Sequence, residues 1–127
     1  MGFDFERLDV YHKALAFVDE VYAMTRLFPS FERYGLTDQF RRAAISIALN
    51  IAEGSGRTKR DFKNFLRNAR SSCSECVAVA HVAAQQQYLP AASESRCTRQ
   101  LTDISKMLSG LIRSLDRSSQ RTMNTEQ

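Results

Sequence analysis

Between Arg41 and Arg70 the chain carries eight basic residues and two acids, Glu53 and Asp61. Lys59, Lys63, Arg67 and Arg70 recur at steps of four, four and three, which sets them along one side of a helix. Arg57 and Arg60 stand at the start of that helix, where unpaired backbone N–H groups and the helix dipole favour anions. Such a row suits the phosphate backbone of RNA or DNA, bound by counterion release without reading bases. The same row also fits a solvated face that keeps the chain dispersed. Aromatic residues are not interleaved along it, which argues against a platform for stacked bases.

A second constellation is the stripe Arg42, Ser46, Asn50 and Glu53, at steps of four, four and three between two apolar stripes. Polar groups placed among apolar ones must pair. The stripe reads either as a pocket for a ligand or partner, or as a hydrogen-bond network fixing helix register or an intersubunit interface. A third is Cys73-Ser-Glu-Cys76 with Cys97 and His81. Half a zinc site is present and the second half is missing. A redox pair needs a helix N-terminus to acidify the thiol, whereas these cysteines lie mid-helix on an apolar stripe and read as small core hydrophobes.

Other chemistries lack their signatures. Neither His12 nor His81 follows a Glu by three residues, so the Glu-x-x-His pattern of di-iron bundles does not occur. Gly54-Ser-Gly56-Arg-Thr-Lys59 lacks the spacing and preceding strand of a phosphate loop. No catalytic residue, metal or cofactor is expected, and the chain reads as non-enzymatic.

The elements that position these residues follow from periodicity. Tyr11, Ala14, Leu15, Val18, Val21 and Tyr22 predict a helix over about 10–26, ended by Phe28-Pro29. A second helix is expected over 38–53, with Thr37 as N-cap and Gly54 as the left-handed residue after its end. Phe40, Ala43, Ala44, Ile47 and Ile51 form one apolar stripe, and Ile45, Leu49 and Ala52 a second. A helix apolar on two sides is central in its bundle or shared with a neighbour. Thr58 with Asp61 reads as a capped start for a third helix over 59–87, the longest, broken by Leu89-Pro90. A fourth is expected from a cap at Ser93 to about Arg117, with a heptad seam Cys97, Leu101, Ile104, Leu108, Leu111 and Leu115. The prediction is an all-α fold, one antiparallel up-down-up-down four-helix bundle over 1–117, followed by a mobile polar tail, 118–127.

Composition bounds the rest. One domain's worth of chain, 127 residues with five Gly and two Pro, leaves little room for a turn-rich β fold. The net charge of +4 is modest, and since 41–70 alone is +6, the excess is local. Fourteen of the 18 basic residues are Arg, which fits either bidentate phosphate recognition or GC-rich coding. Three cysteines and no secretory pattern point to a reducing, cytoplasmic setting. The longest charge-free apolar stretch, Ala43 to Ala52, is too short to span a bilayer, so no membrane partner is expected.

FERLDVY at 5–11, FPSFERYGLTDQFRRAAISIALNIAEGSGR at 28–57 and FKNFLRNARSSCSE at 62–75 carry a resemblance. The chain resembles the 23S rRNA-intervening-sequence proteins, a four-helix-bundle family. Its specific part is the block Ser46 to Gly54; the fourth helix matches only in apolar pattern. The resemblance implies a ring-shaped homo-oligomer, with the homopentamer the recurring form. It also extends to accessory proteins of diversity-generating retroelements, which are thought to bind nucleic acid through a basic surface, and it implies no catalytic residues. Two functions are therefore expected to compete. One is an oligomeric scaffold holding RNA or DNA on Arg57, Lys59, Arg60, Lys63, Arg67 and Arg70. The other is a protein-interaction adaptor whose helix 2 apolar sides receive a partner.

Overall fold

Four helices and two short 3₁₀ turns build the chain in a computed structural model that describes residues 3–126, with side chains described to Ser118. The helices are α1 (Asp9–Thr25), α2 (Leu36–Ser55), α3 (Lys59–Gln85) and α4 (Ala91–Glu126), and the 3₁₀ turns precede α1 and α2. Among the described residues every regular element is helical.

Cross-helix pairs fix the direction of each neighbour. Arg41 of α2 lies over the ring of Tyr22 at 4.4 Å and donates to Thr25 Oγ1 at 2.9 Å, at the far end of α1. Ser46 meets Ser72 while Gly54 meets Phe65, so α2 and α3 run antiparallel. Lys63 meets Asp116 and Arg70 meets Ser109, so α3 and α4 do as well. Glu20 reaches Arg96 and Met24 touches Cys97, which closes α1 on α4. The result is the expected antiparallel four-helix bundle, with α1 and α4 the most lightly joined pair.

The buried stripes interlock at the centre. Phe17, Phe40, Ile47, Ile51, Leu66 and Leu108 are each at most 1% exposed. Each such side chain contributes roughly 1.5–3 kcal/mol by leaving water. Along α4 the buried line is Cys97, Leu101, Ile104, Leu108 and Ile112, with Leu111 and Leu115 only half-buried. A strict seven-residue seam drifts about 20° per heptad around a straight helix, and here the next step inward falls to Ile112.

Several boundaries differ from the expectation. α2 begins at Leu36 with Gly35 as its N-cap, and Thr37 is buried inside the first turn, so Thr37 is not the cap. Glu32 supplies the capping oxygen instead: its Oε1 accepts from the Leu36 N–H at 3.2 Å, and its Oε2 accepts from the Tyr88 hydroxyl at 3.1 Å. The bond to Glu32 and burial together raise the Tyr88 pKa, with burial the larger cause. Ser93 lies within α4, whose first turn opens directly after Pro90. α4 is the longest helix, at 36 residues, because neither Pro nor Gly interrupts it between Gly110 and Glu126. The expected end near Arg117 is thereby corrected; the side chains beyond Ser118, where a mobile tail was expected, lie outside the described residues.

Thr58 caps α3 as expected, its hydroxyl accepting from the Asp61 N–H at 3.2 Å. The left-handed residue that ends a helix is Gln87, φ 67°, after α3. Its N–H bonds to the Ala84 carbonyl and that of Tyr88 to the Ala83 carbonyl, the paired bonds of a Schellman turn.

Candidate nucleic-acid interface

The cationic row lies along the seam where α3 meets α4. Starting at the N-terminus of α3, Lys59 bonds to the Ser118 hydroxyl on α4. Lys63 pairs with Asp116 at 2.7 Å, and its side chain is 19% exposed. Arg67 donates to Asn64 Oδ1 at 3.0 Å and Arg70 to Ser109 Oγ at 3.1 Å. Arg60 is exposed, with no carboxylate partner among the described residues. Arg57 is held twice, by Glu53 at 3.3 Å and over the Phe65 ring at 5.0 Å.

This placement alters the expected membership. Lys63 is not a free cation of the row: Asp116 neutralises it across the seam, and the bond from Lys63 holds the Asp116 carboxyl below its usual range. Arg57 is likewise drawn back onto α2 by Glu53. Lys59, Arg60, Arg67 and Arg70 make no ion pair with a carboxylate among the described residues. α4 adds what the sequence reading passed over. Residues 59–70 carry five cations and one carboxylate, and 106–118, lying antiparallel beside them, carry Lys106, Arg113 and Arg117 with Asp116. The α4 cations recur at seven and four, a signal of the same kind as the row on α3. Without the α3–α4 register nothing joined the two.

The polar stripe of α2 divides. Asn50 Nδ2 donates to the Ser46 carbonyl at 2.8 Å and to Ser46 Oγ at 3.0 Å, and Ser72 of α3 donates to the same hydroxyl at 2.9 Å. Ser46 and Asn50 thus belong to an α2–α3 network that includes Ser72, a partner the sequence did not disclose. Arg42 and Glu53 stay outside it, in four-residue pairs with Asp38 and Arg57. These four residues line an open cleft of about 400 Å³ together with Ile45 and Leu49. Leu49 is 60% exposed, so the second apolar stripe of α2 faces outward.

Gly54 is not the left-handed terminator. It lies inside α2, and a Cβ built there meets Phe65 Cβ at 2.6 Å and Phe62 Cδ1 at 3.0 Å. The missing side chain lets α2 approach the start of α3, and so holds Arg57, Lys59 and Arg60 against the bundle.

All three cysteines are free and buried. Burial pushes the Cys73 thiol up to about 12 and Cys97 up to about 11, and Cys76 is raised by burial and then by the neighbouring Cys73. A thiol held this high is not nucleophilic near neutrality. All three should resist an aromatic disulfide reagent at pH 7–8 in the native protein and react together on unfolding. One thiol reacting at the free-cysteine rate before unfolding would contradict this. Among the described residues no group of three His, Cys, Asp or Glu side chains is placed to hold a metal, and no helix is long and apolar enough to cross a membrane.

Comparison with curated proteins gave no match. Among solved structures, the chain is similar to a protein of unknown function from the S23 ribosomal protein family of Bacteroides thetaiotaomicron. The TM-score is 0.74 and the identity 23%, over 81% of this chain and 97% of the other, so the likeness is one of fold. The family described as 23S rRNA-intervening sequence protein matches residues 6–110. That span takes in α1, α2, α3 and the first part of α4, to Gly110, and the chain belongs to the 23S rRNA-intervening sequence protein family.

Proposed function

We propose that the protein is a non-enzymatic, self-assembling scaffold that holds RNA or DNA by its phosphate backbone. The observation that carries the reading is the α3–α4 seam, where Lys59, Arg60, Arg67 and Arg70 face the cations of α4 without carboxylate partners among the described residues. Cations left unpaired on one face attract a polyanion and release its counterions on contact. In a closed ring the seam would recur once per subunit and multiply weak contacts.

The test is binding of a labelled oligonucleotide at low salt by the wild type and by an Arg60→Glu, Arg67→Glu variant. Both side chains are exposed, so the fold should be kept. The variant should lose roughly tenfold or more in affinity, across RNA and DNA alike. Equal affinities would remove the reading.

The exposure of Leu49 favours a second reading, in which α2 docks a protein partner and the cations are incidental. The two separate on Leu49→Glu. Lost self-assembly with weaker but salt-dependent strand binding on the separated chain supports the scaffold, and a wild type that binds a protein partner but no strand supports the adaptor.

A further inference from the structure

Between α3 and α4 runs an open groove of about 580 Å³, on the same seam as the cationic row. Its floor is apolar at one end, where Cys73, Val77 and Leu101 meet. Toward the other end it is bordered by α4 residues with hydrogen-bond donors: Ser105, Lys106, Ser109 and Arg113. These fall on consecutive turns, so all four present to one strip of the helix. Among the described residues none of the lining groups is a carboxylate. Asp116, three residues beyond Arg113, is already engaged by Lys63.

The hydroxyl of Ser109 is an acceptor already engaged by α3. Arg70 donates to Ser109 Oγ at 3.1 Å, which occupies a lone pair on that oxygen. Its own proton is left to point elsewhere, and a hydroxyl polarised by a guanidinium is a better donor. Lys106 and Arg113 make no ion pair among the described residues. A groove that offers two cations without carboxylates and a hydroxyl whose proton is free to donate, and no acceptor charge, is suited to a tetrahedral oxyanion. Its apolar end gives room for a group attached to that anion.

We propose that the α3–α4 groove is a phosphate-binding subsite, with Lys106 and Arg113 as its cations and the Ser109 hydroxyl as a donor. The inference deepens the nucleic-acid reading and rests on it for one of two sources of the phosphate, a strand's phosphodiester or a free mononucleotide. It differs from that reading in its residues, which lie on α4 and were not among the cations singled out on α3.

The experiment uses the full chain and three proteins: wild type, Lys106→Glu with Arg113→Glu, and a control of equal charge change, Arg26→Glu with Arg33→Glu. The control cations are exposed, near the opposite end of the bundle. Each protein is titrated at low salt with a labelled single-stranded oligonucleotide, and with adenosine 5′-monophosphate while the amide resonances of Ser105, Ser109 and Arg113 are followed. We expect the groove variant to lose about tenfold in strand affinity, the equivalent of one charge-assisted hydrogen bond, and the control far less. If the wild type binds no strand but the mononucleotide shifts those resonances, and the shifts vanish in the groove variant, the subsite stands with a free nucleotide as its ligand and the nucleic-acid reading falls. If groove and control variants bind the strand equally and the mononucleotide leaves the resonances still, the subsite is overturned and the nucleic-acid reading survives. If neither probe binds the wild type, both are overturned.

Discussion

Truncating Phe40 to Ala should cost about 3–5 kcal/mol of stability, the largest loss expected of any single substitution in this chain. Phe40 is 0% exposed, and its ring lies 6.5 Å from Phe17 of α1 and 6.4 Å from Phe28 of the connection that follows α1. Phe28 in turn lies 5.6 Å from Tyr88 in the α3–α4 connection. The ring is therefore the hub at which α1, α2 and the two connections at that end of the bundle are joined. Removing it leaves a cavity that helices tied by short connections cannot collapse to fill. Denaturant unfolding followed by circular dichroism measures the loss; a change below about 1 kcal/mol would mean the hub is not packed as described.

The second large effect is expected at Gly54. Gly54→Ala should destabilise by about 1–3 kcal/mol, even though Ala favours a helix over Gly by about 1 kcal/mol. The added carbon would stand 2.6 Å from Phe65 Cβ, an atom fixed to the α3 backbone that no rotamer change can move aside. α2 and α3 must separate, and the start of α3, with Arg57, Lys59 and Arg60, moves with them. Gly56 is the built-in comparison. A Cβ added there would have no neighbour within 4 Å, and its φ is −91°, so Gly56→Ala should be neutral or stabilise by up to about 1 kcal/mol. Thermal or denaturant midpoints that rank the two substitutions in the opposite order would refute the packing role of Gly54.

The two glycines also show where sequence reading succeeds and where it stops. Periodicity located all four helices because each buries a continuous stripe, and the stripe is written in the sequence at steps of three and four. Thr58 was legible as a cap because the capping bond is local, spanning three residues. Gly54 was not, because a glycine after an apolar run looks the same whether it ends a helix or lets a neighbour approach. Only the position of Phe65 decides. Glu32 was hidden in part for the same reason: the oxygen that caps α2 acts across four residues, but the one that holds Tyr88 is recruited across 56 residues of chain.

The candidate site followed the same division. That cations line one side of α3 was legible. That Lys63 is paired with Asp116, and that Lys106 and Arg113 lie across the seam, depends on the register between α3 and α4. The α2 stripe was seen as four residues of one kind, but local pairing at four-residue spacing took Arg42 and Glu53, and only Ser46, itself bonded by Asn50, met a side chain of α3.

The proposed function is that unpaired charge on the α3–α4 seam binds nucleic-acid phosphates. Its most direct measurement is the affinity of the full chain for a labelled single-stranded RNA as a function of salt. Binding should be tight at low salt, with a linear fall of log affinity with log salt. The slope should be roughly −3, at about 0.7 per phosphate for the four α3 cations left without carboxylates. No binding at low salt, or an affinity that salt does not change, would contradict it.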